Sequence, residues 1–330
     1  MKLGLHAHSL LLAGGLREYQ PVGRGIMTAA QLLEKAAQMK FAAVQLARRN
    51  ISEDVGEWDM VMLVNLRRQA EELDLTLHLS TNALLGEHLA DLIRRAYTLG
   101  AVQVTVGLPE LKGNVHMRQR RLESLLADLD IAIKTAERYK IMLAIENGRH
   151  TSAADLAALI QAAQSEWIGV CFDMGNALTV PESPIDAAEQ LAPYCKSVHM
   201  KDLQVYRIAE GAMLVNVPVG DGCMEIVDVL RTLKEKQPDI TVFLQTAAER
   251  TTVPALRDTF LLEYPRITAR ALAGLLRRGA LAYPEEELRF PHEKKASERE
   301  ILKWEEDRLK RSVKHAQKLM GTQSLTLSLE

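Results

Sequence analysis

Short β-type runs alternate with longer helix-type runs along most of the chain, and this alternation constrains the fold more than any other feature. Several of the β-type runs are almost continuously apolar, which is typical of parallel strands covered by helices. The eight predicted strands are Leu3–Ala7, Phe41–Ala47, Leu75–Ser80, Val102–Gly107, Ile141–Asn147, Ile168–Met174, Ser197–Asp202 and Thr241–Thr246. A helical segment follows each strand, so residues 1–282 are predicted to form a (β/α)8 barrel of ordinary size.

A doubly wound open sheet is the structural alternative. Such a sheet normally has fewer strands and often a glycine-rich turn after the first one. Here His8, Ser9 and Leu10 follow the first predicted strand, and the chain contains neither GxGxxG nor a P-loop. The closed barrel is therefore the preferred prediction.

Residues 283–330 differ from the rest in composition. From Glu285 to the end the chain carries ten acidic and ten basic residues, and Ser297 to Glu300 form a capping-box pattern. An apolar stripe from Ile301 to Met320 then predicts a helix that packs on the outside of the barrel or on another subunit. A nucleic-acid-binding arm is disfavoured because the charges balance.

Composition excludes several classes of protein. With 41 basic and 43 acidic side chains, the chain is not built to coat nucleic acid. It contains no apolar run long enough for a membrane span, and Met1–His8 is interpreted as the first strand rather than a signal peptide. Its three widely spaced cysteines predict no disulfide framework, so we expect a reducing, cytoplasmic compartment.

Polar residues stand at the predicted carboxyl ends of the last four strands. Functional side chains of a (β/α)8 barrel lie at this end, so Glu146, Asp173, His199 and Gln245 are expected to converge above the barrel mouth. Their oxygen and imidazole donors suit a divalent ion, with Mn²⁺ the first expectation and Mg²⁺, Co²⁺, Fe²⁺ or Zn²⁺ as alternatives. Taken singly, each of these residues is as compatible with a structural role as with metal binding. The occurrence of all four at the same end of neighbouring strands favours a metal site.

The motifs around these residues resemble the xylose-isomerase-like TIM-barrel superfamily. They are Ala144–Asn147, Cys171–Asn176, Val198–Asp202 and Pro218–Gly222, and the resemblance runs over about residues 1–280. That superfamily holds sugar and sugar-phosphate isomerases and epimerases, inosose dehydratases, and an endonuclease branch. The resemblance implies metal ligands at Glu146, Asp173 and His199, with a fourth on the last strand. It also implies a substrate-gripping Arg207 in the loop after the seventh strand.

The chain departs from the family pattern at two positions. Gln245 stands where relatives usually have glutamate, so it can offer an oxygen to a cation but cannot take a proton from carbon. This disfavours a symmetric two-base epimerisation unless the loop folds back to bring in Glu249. Asn176 replaces a histidine found in many epimerases and in the nuclease branch, and the HxD pair of the nucleases is absent. A DNA-repair endonuclease is therefore disfavoured.

The predicted chemistry is proton abstraction next to a carbonyl through an enediolate, which makes the chain a metal-dependent sugar or keto-sugar isomerase or epimerase. Glu146 is the expected base, with His150 and Lys201 as catalytic partners. His8, Asn147, Asn176 and Asp202 are expected, with Arg207, to bind substrate. The alternatives are a lyase or dehydratase of keto-sugars or cyclitols, including the C-glycoside-cleaving type, and a non-catalytic sugar-binding barrel. We expect a small sugar or cyclitol ligand and a homo-oligomer, with the charged extension available to a partner subunit.

Overall fold

The computed structural model describes residues 1–15, 19–23, 25–51, 58–82, 84–109, 113, 115–264, 266–279 and 281–321. Eight parallel strands close into a barrel in the order β1-β10-β7-β6-β5-β4-β3-β2, which confirms the predicted (β/α)8 fold. These strands are β1 (Lys2–His6), β2 (Ala43–Ala47), β3 (Thr76–Asn82), β4 (Ala101–Gly107), β5 (Met142–Glu146), β6 (Ile168–Asp173), β7 (Cys195–Met200) and β10 (Thr241–Leu244).

Helices follow the strands as the sequence predicted. They are α1 (Ala29–Gln38), α2 (Met60–Glu72), α3 (Gly86–Leu99), α4 (Val115–Tyr139), α5 (Ala153–Ala163), α6 (Pro184–Leu191), α7 (Ile226–Lys236), α8 (Asp258–Glu263) and α9 (Ala269–Arg278). A capping box begins α1, in which the side chains of Thr28 and Gln31 each accept from the other residue's backbone N–H. Gly100 ends α3 with a φ of 77°, in the left-handed region that favours glycine. In the described ranges, no helix combines the length and apolar character that a membrane crossing requires.

A three-stranded antiparallel sheet lies beside the barrel mouth and was missed by the sequence analysis. It consists of β8 (Asp202–Ile208), β9 (Gly211–Val217) and β11 (Arg250–Val253), in the order β11-β9-β8. The seventh predicted strand ran to Asp202, but β7 ends at Met200 and Asp202 begins β8. The prediction was wrong here because β-type residues continue from β7 into β8, and such a run gives no local signal of the change in direction.

The C-terminal extension is helical, as predicted, and packs on the barrel of the same chain. Helix α10 (Glu298–Gly321) inserts Leu309, Val313 and Ala316 into the main core. The Glu305 carboxylate, 3% exposed, accepts the backbone N–H groups of Leu12 and Ala13 at 2.6 and 2.8 Å. These two residues follow β1, so the last helix holds the first loop at the mouth of the barrel.

Candidate metal centre at the barrel mouth

Glu146, Asp173 and His199 converge at the carboxyl ends of β5, β6 and β7. Ligand atoms of the three side chains all lie within 4.8 Å of one another. Nδ1 of His199 is 3.6 Å from Glu146 Oε1 and 3.6 Å from Asp173 Oδ2. The three sit together because β5, β6 and β7 are neighbours in the barrel, with Asp173 directly beside His199 in the register.

The orientation of the His199 ring is set by Gln45, a residue of β2 with no functional signal in the sequence. Nε2 of His199 donates to Gln45 Oε1 at 2.7 Å, and Gln45 Nε2 in turn donates to Thr105 Oγ1 at 2.8 Å. Because the amide oxygen only accepts, Nε2 carries a proton in this hydrogen bond, and Nδ1 is the ring nitrogen that faces the two carboxylates. Cys171 Sγ also lies 3.2 Å from Nε2 of His199.

Lys201 lies against the same carboxylate cluster. Its Nζ is 2.6 Å from Asp173 Oδ2, and both side chains are almost completely buried. Burial alone would raise the pKa of the Asp173 carboxyl, but Lys201 and His199 outweigh it and hold that pKa well below its ordinary value. Burial also opposes the charge of His199, yet Cys171, Asp173 and Glu146 raise its pKa well above the ordinary value.

Gln245 and the two N-terminal histidines form the other side of the centre. Nε2 of Gln245 lies 3.3 Å from His8 Nδ1, and the His6 ring is 4.7 Å from the His199 ring, centroid to centroid. Burial, with the Arg49 charge adding to it, lowers the pKa of His8 to about 4. Burial likewise lowers the pKa of His6. Both imidazoles are therefore neutral at neutral pH.

The residues present fit a divalent cation. Ligand atoms held around one such ion at about 2.1 Å are about 3 to 3.5 Å apart, close to the spacings between His199 Nδ1 and the two carboxylates. Neither His199 Nδ1 nor Gln245 Oε1, both buried, has a hydrogen-bond partner among the described residues. Buried polar atoms without partners cost free energy, and a shared cation would satisfy them. Glu146, Asp173, His199 and Gln245 would hold it.

Two asparagines predicted to bind substrate differ in their surroundings. Asn176 lines the mouth cavity and donates from Nδ2 to Glu146 Oε1 at 3.1 Å. Asn147 is buried and uses both ends of its amide on the backbone of Asp173, accepting at 2.6 Å and donating at 2.9 Å. The amide of Asn147 thus ties β5 to β6, and the structure does not bring it to the cavity.

Asp202 and Arg207 are also placed away from the cavity. The two carboxylate oxygens of Asp202 accept four backbone N–H groups, from Leu203, Gly220, Gly222 and Met224. Arg207 lies within β8 rather than in a loop, and its side chain is exposed on the side sheet. The structure thus does not bring either side chain to the cavity: Asp202 organises a turn, and Arg207 is exposed because β8 leaves the barrel. That the two contact substrate stays a prediction.

A cavity of about 460 Å³ opens above the centre. His6, His8, Glu146, Asn176, Lys201 and Gln245 line it, together with His150, Arg149 and Glu249 from the surrounding loops. Glu249 reaches the cavity because the loop after β10 folds back, and Arg149 Nη2 donates to its Oε2 at 2.8 Å. Burial opposes the charge of Glu249, but Arg149 and Lys201 hold its pKa below the ordinary value. The structure therefore brings in the carboxylate that the sequence left conditional.

The cavity also has residues that sequence reasoning did not assign. Arg48 and Arg49, in the 3-10 turn after β2, line it, as does Arg149. Their positions directly after strand ends were the available signal.

Comparison with known proteins identifies the family. A profile of the xylose isomerase-like TIM barrel family matches residues 33–263. The 3-oxo-isoapionate decarboxylase of Pectobacterium atrosepticum is 25% identical over 207 residues, which is 63% of this chain and 70% of that protein.

Solved structures show the same fold. The D-psicose 3-epimerase of Clostridium cellulolyticum H10, solved with D-tagatose, has a TM-score of 0.59 at 13% identity and covers 84% of this chain and 96% of its own. The IOLI protein solved with a zinc atom has a TM-score of 0.55 at 12% identity, covering 84% and 96%. The chain belongs to the xylose isomerase-like TIM barrel family.

Proposed function

We propose that this chain is a divalent-metal-dependent enzyme that isomerises or epimerises a sugar or keto-sugar by removing a proton next to a carbonyl. One observation carries the proposal: Glu146, Asp173 and Nδ1 of His199 face one point on the floor of a cavity large enough for a sugar. A divalent ion bound there would supply Lewis-acid polarisation of the substrate carbonyl. Mn²⁺ is the proposed ion, with Mg²⁺, Co²⁺, Fe²⁺ and Zn²⁺ as alternatives, because the donors are oxygen and imidazole.

Glu146 is the proposed base. Its side chain is 19% exposed, the only one of the three carboxylate and imidazole groups of the centre that reaches the cavity to this extent. The Asn176 amide fixes one of its oxygens, so the carboxylate is oriented before substrate arrives. His8, neutral at neutral pH, and Lys201 both line the cavity, which supports the proposal that they exchange protons or hydrogen bonds with substrate hydroxyls.

A one-sided reaction is favoured over a symmetric one. Gln245 cannot take a proton, and Glu249 is ion-paired to Arg149 with a lowered pKa, which makes it a weaker base. The second candidate is therefore a lyase, in which a bond β to the carbonyl breaks and the same enolate forms on the substrate. The relative that decarboxylates 3-oxo-isoapionate supports this alternative.

We also propose that the chain works in a reducing, cytoplasmic compartment as a homo-oligomer. The three free cysteines support the reducing compartment.

Metal analysis and hydrogen exchange test the proposal together. The purified chain should bind one divalent ion per chain, and His199→Gln should lose it. With Mn²⁺ present, a keto-sugar that is turned over should incorporate solvent deuterium at the carbon next to its carbonyl, and Glu146→Gln should abolish this incorporation. The matched control is Glu72→Gln, an exposed carboxylate on α2, which should exchange normally. A chain that binds sugar without metal and without exchange would be a binding barrel, contrary to the proposal.

A further inference from the structure

We infer that His6 is a further catalytic residue, which donates a hydrogen bond from its Nε2–H group to the substrate oxygen that gains negative charge when Glu146 removes a proton. The inference rests on the proposed function, since it names another group of that same site. Its basis is the tautomer of the His6 ring, the free N–H group that this tautomer leaves, and the place of His6 in the barrel.

The turn after β1 fixes the tautomer of His6. Nδ1 accepts the backbone N–H of His8 at 2.9 Å and thereby caps the 3-10 turn Ala7–Leu10. A backbone N–H is always a donor, so Nδ1 carries a lone pair and the ring proton is on Nε2. The His6 ring is therefore a neutral hydrogen-bond donor by virtue of its geometry.

His6 lies beside the metal centre without being one of its ligands. Its ring centroid is 4.7 Å from that of His199 and 4.5 Å from that of His8, and both neighbouring rings stand at steep angles to it. The ligand atoms that converge belong to Glu146, Asp173 and His199. Because Nε2 of His6 carries a proton, it has no lone pair for a cation, and it can serve only as a donor.

The Nε2–H group of His6 has no acceptor in the part of the chain that the structure describes. Within those ranges the side chain makes one hydrogen bond, the bond at Nδ1. His6 is 1% exposed, and its ring lines the cavity of about 460 Å³. An N–H group in such a place costs free energy until it finds an acceptor. Capping does not account for the group, because asparagine or serine would cap the turn equally well.

His6 stands across the barrel from the proposed base. In the closed order of strands, β1 is diametrically opposite β5; His6 ends the former and Glu146 the latter. Both side chains line the cavity, so a substrate carbonyl between them would have the base on one side and the donor on the other.

The developing charge explains what the donor does. When Glu146 takes the proton, the electron pair of the C–H bond forms the new C=C bond, and the π pair of the carbonyl moves onto its oxygen. A neutral N–H group that is already in place stabilises this oxygen more in the transition state than in the ground state.

Two substitutions separate the donor of His6 from its cap. His6→Asn keeps an acceptor for the His8 N–H but has no N–H group at the place of Nε2. His6→Gln brings an amide N–H close to that place and gives up the cap. The two variants should therefore differ in opposite ways in stability and in chemistry.

Deuterium exchange into keto-sugars measures the chemistry. The Mn²⁺-loaded full-length chain is offered the 2-ketohexoses and 2-ketopentoses of both series, and the sugar that the parent exchanges is then used for every variant. In His6→Asn the rate at saturating sugar should fall by about a hundredfold, with little change in the half-saturating concentration. His6→Gln should exchange about tenfold or more faster than His6→Asn, as expected if it restores the donor.

Two readouts show that the donor is what has changed. His6→Asn should bind Mn²⁺ and fold like the parent, because the cap and the metal ligands remain. Nitrogen-15 spectra of the Mg²⁺-loaded parent, with the histidine signal lost in His6→Asn identifying the ring, should show the proton of His6 on Nε2. His88→Asn is the matched control, because His88 is exposed on α3, and it should exchange at the parent rate.

The two proposals fail separately. Equal exchange by the parent and His6→Asn, a His6 proton on Nδ1, or loss of Mn²⁺ from His6→Asn would each overturn the role of His6 and leave the proposed function standing. A parent that exchanges none of the sugars in the presence of Mn²⁺ would overturn the proposed function itself, and this role with it.

Discussion

Gln45 Oε1 lies 2.7 Å from Nε2 of His199, 154 residues further along the chain, and this hydrogen bond decides which ring nitrogen faces the carboxylates. The contact joins opposite parts of the barrel wall, since Gln45 is on β2 and His199 on β7. A histidine ligand held this way presents a fixed tautomer and a fixed ring plane to a cation. Gln45 is thus a positioning residue for the proposed centre, and its effect is open to measurement.

Replacing Gln45 by leucine should weaken divalent-ion affinity by about tenfold to a hundredfold, the usual cost of losing a partner behind a ligating histidine. Gln45→Glu keeps an acceptor for the Nε2 proton and should retain much more of the affinity. Competition with a fluorescent chelator measures both. Unchanged affinity in the leucine variant would show that His199 does not need this hydrogen bond.

Lys201→Met should destabilise the metal-free chain strongly and the metal-loaded chain much less. Without its lysine, the buried Asp173 carboxylate loses its nearest positive charge, at a cost of about 3–5 kcal/mol in the free energy of unfolding. A bound divalent ion would replace that charge, so Mn²⁺ should raise the stability of the variant more than that of the parent.

Urea unfolding in chelator and in Mn²⁺ gives these differences directly. Lys134→Met is the control, because Lys134 forms an exposed pair with Asp130 and should change stability by only about 0–1 kcal/mol in either condition. Equal losses for Lys201→Met with and without the ion would contradict a cation beside Asp173.

Glu305→Ala should reveal how far α10 supports the barrel mouth. This carboxylate accepts two buried backbone N–H groups from the first loop, and leaving both without a partner should cost about 2–4 kcal/mol. The neighbouring Glu306, partly exposed and paired to Lys35 and Lys310, provides the matched control, and Glu306→Ala should cost about 0–1 kcal/mol. Thermal and urea unfolding of the two variants should differ accordingly; similar losses would mean that the loop contact contributes little.

Acid should destabilise the fold through its buried histidines. Burial lowers the pKa of His78 to about 3 and that of His8 to about 4, whereas in the unfolded chain both bind protons near the ordinary value of 6.5. Between these limits the unfolded state holds more protons, so the free energy of unfolding falls as the pH drops from about 6.5 towards 4. His78 alone should contribute about 3 kcal/mol of that fall by pH 4.

His78→Gln removes one of these groups. The dependence of unfolding free energy on pH should then become shallower by about one proton in this range. Denaturant titrations at half-unit pH steps measure the slope. An identical slope in parent and variant would show that His78 is protonated in the folded chain.

Much of the fold and part of the site were predictable because they depend on local pattern. Strand and helix periods gave all eight barrel strands, and the end of each strand placed Glu146, Asp173 and His199 at one rim. The side sheet was missed because β8 continues almost directly from β7, and a change of strand direction leaves no periodic signal. Asn147 and Asp202 also stand at strand ends, like the site residues. Hydrogen bonds to backbone groups already occupy the polar atoms of these two side chains.

The sequence by itself determined the closed parallel barrel and the set of side chains at its carboxyl end, because both follow from the order and periodicity of short segments. Only the tertiary structure decided which of those side chains act together. Hydrogen-bond partners such as Gln45 with His199, or Glu305 with Leu12 across 293 residues, depend on strand register and barrel closure. The same closure sets His6 opposite Glu146, since a position across a barrel is a property of the ring of strands and of no single segment.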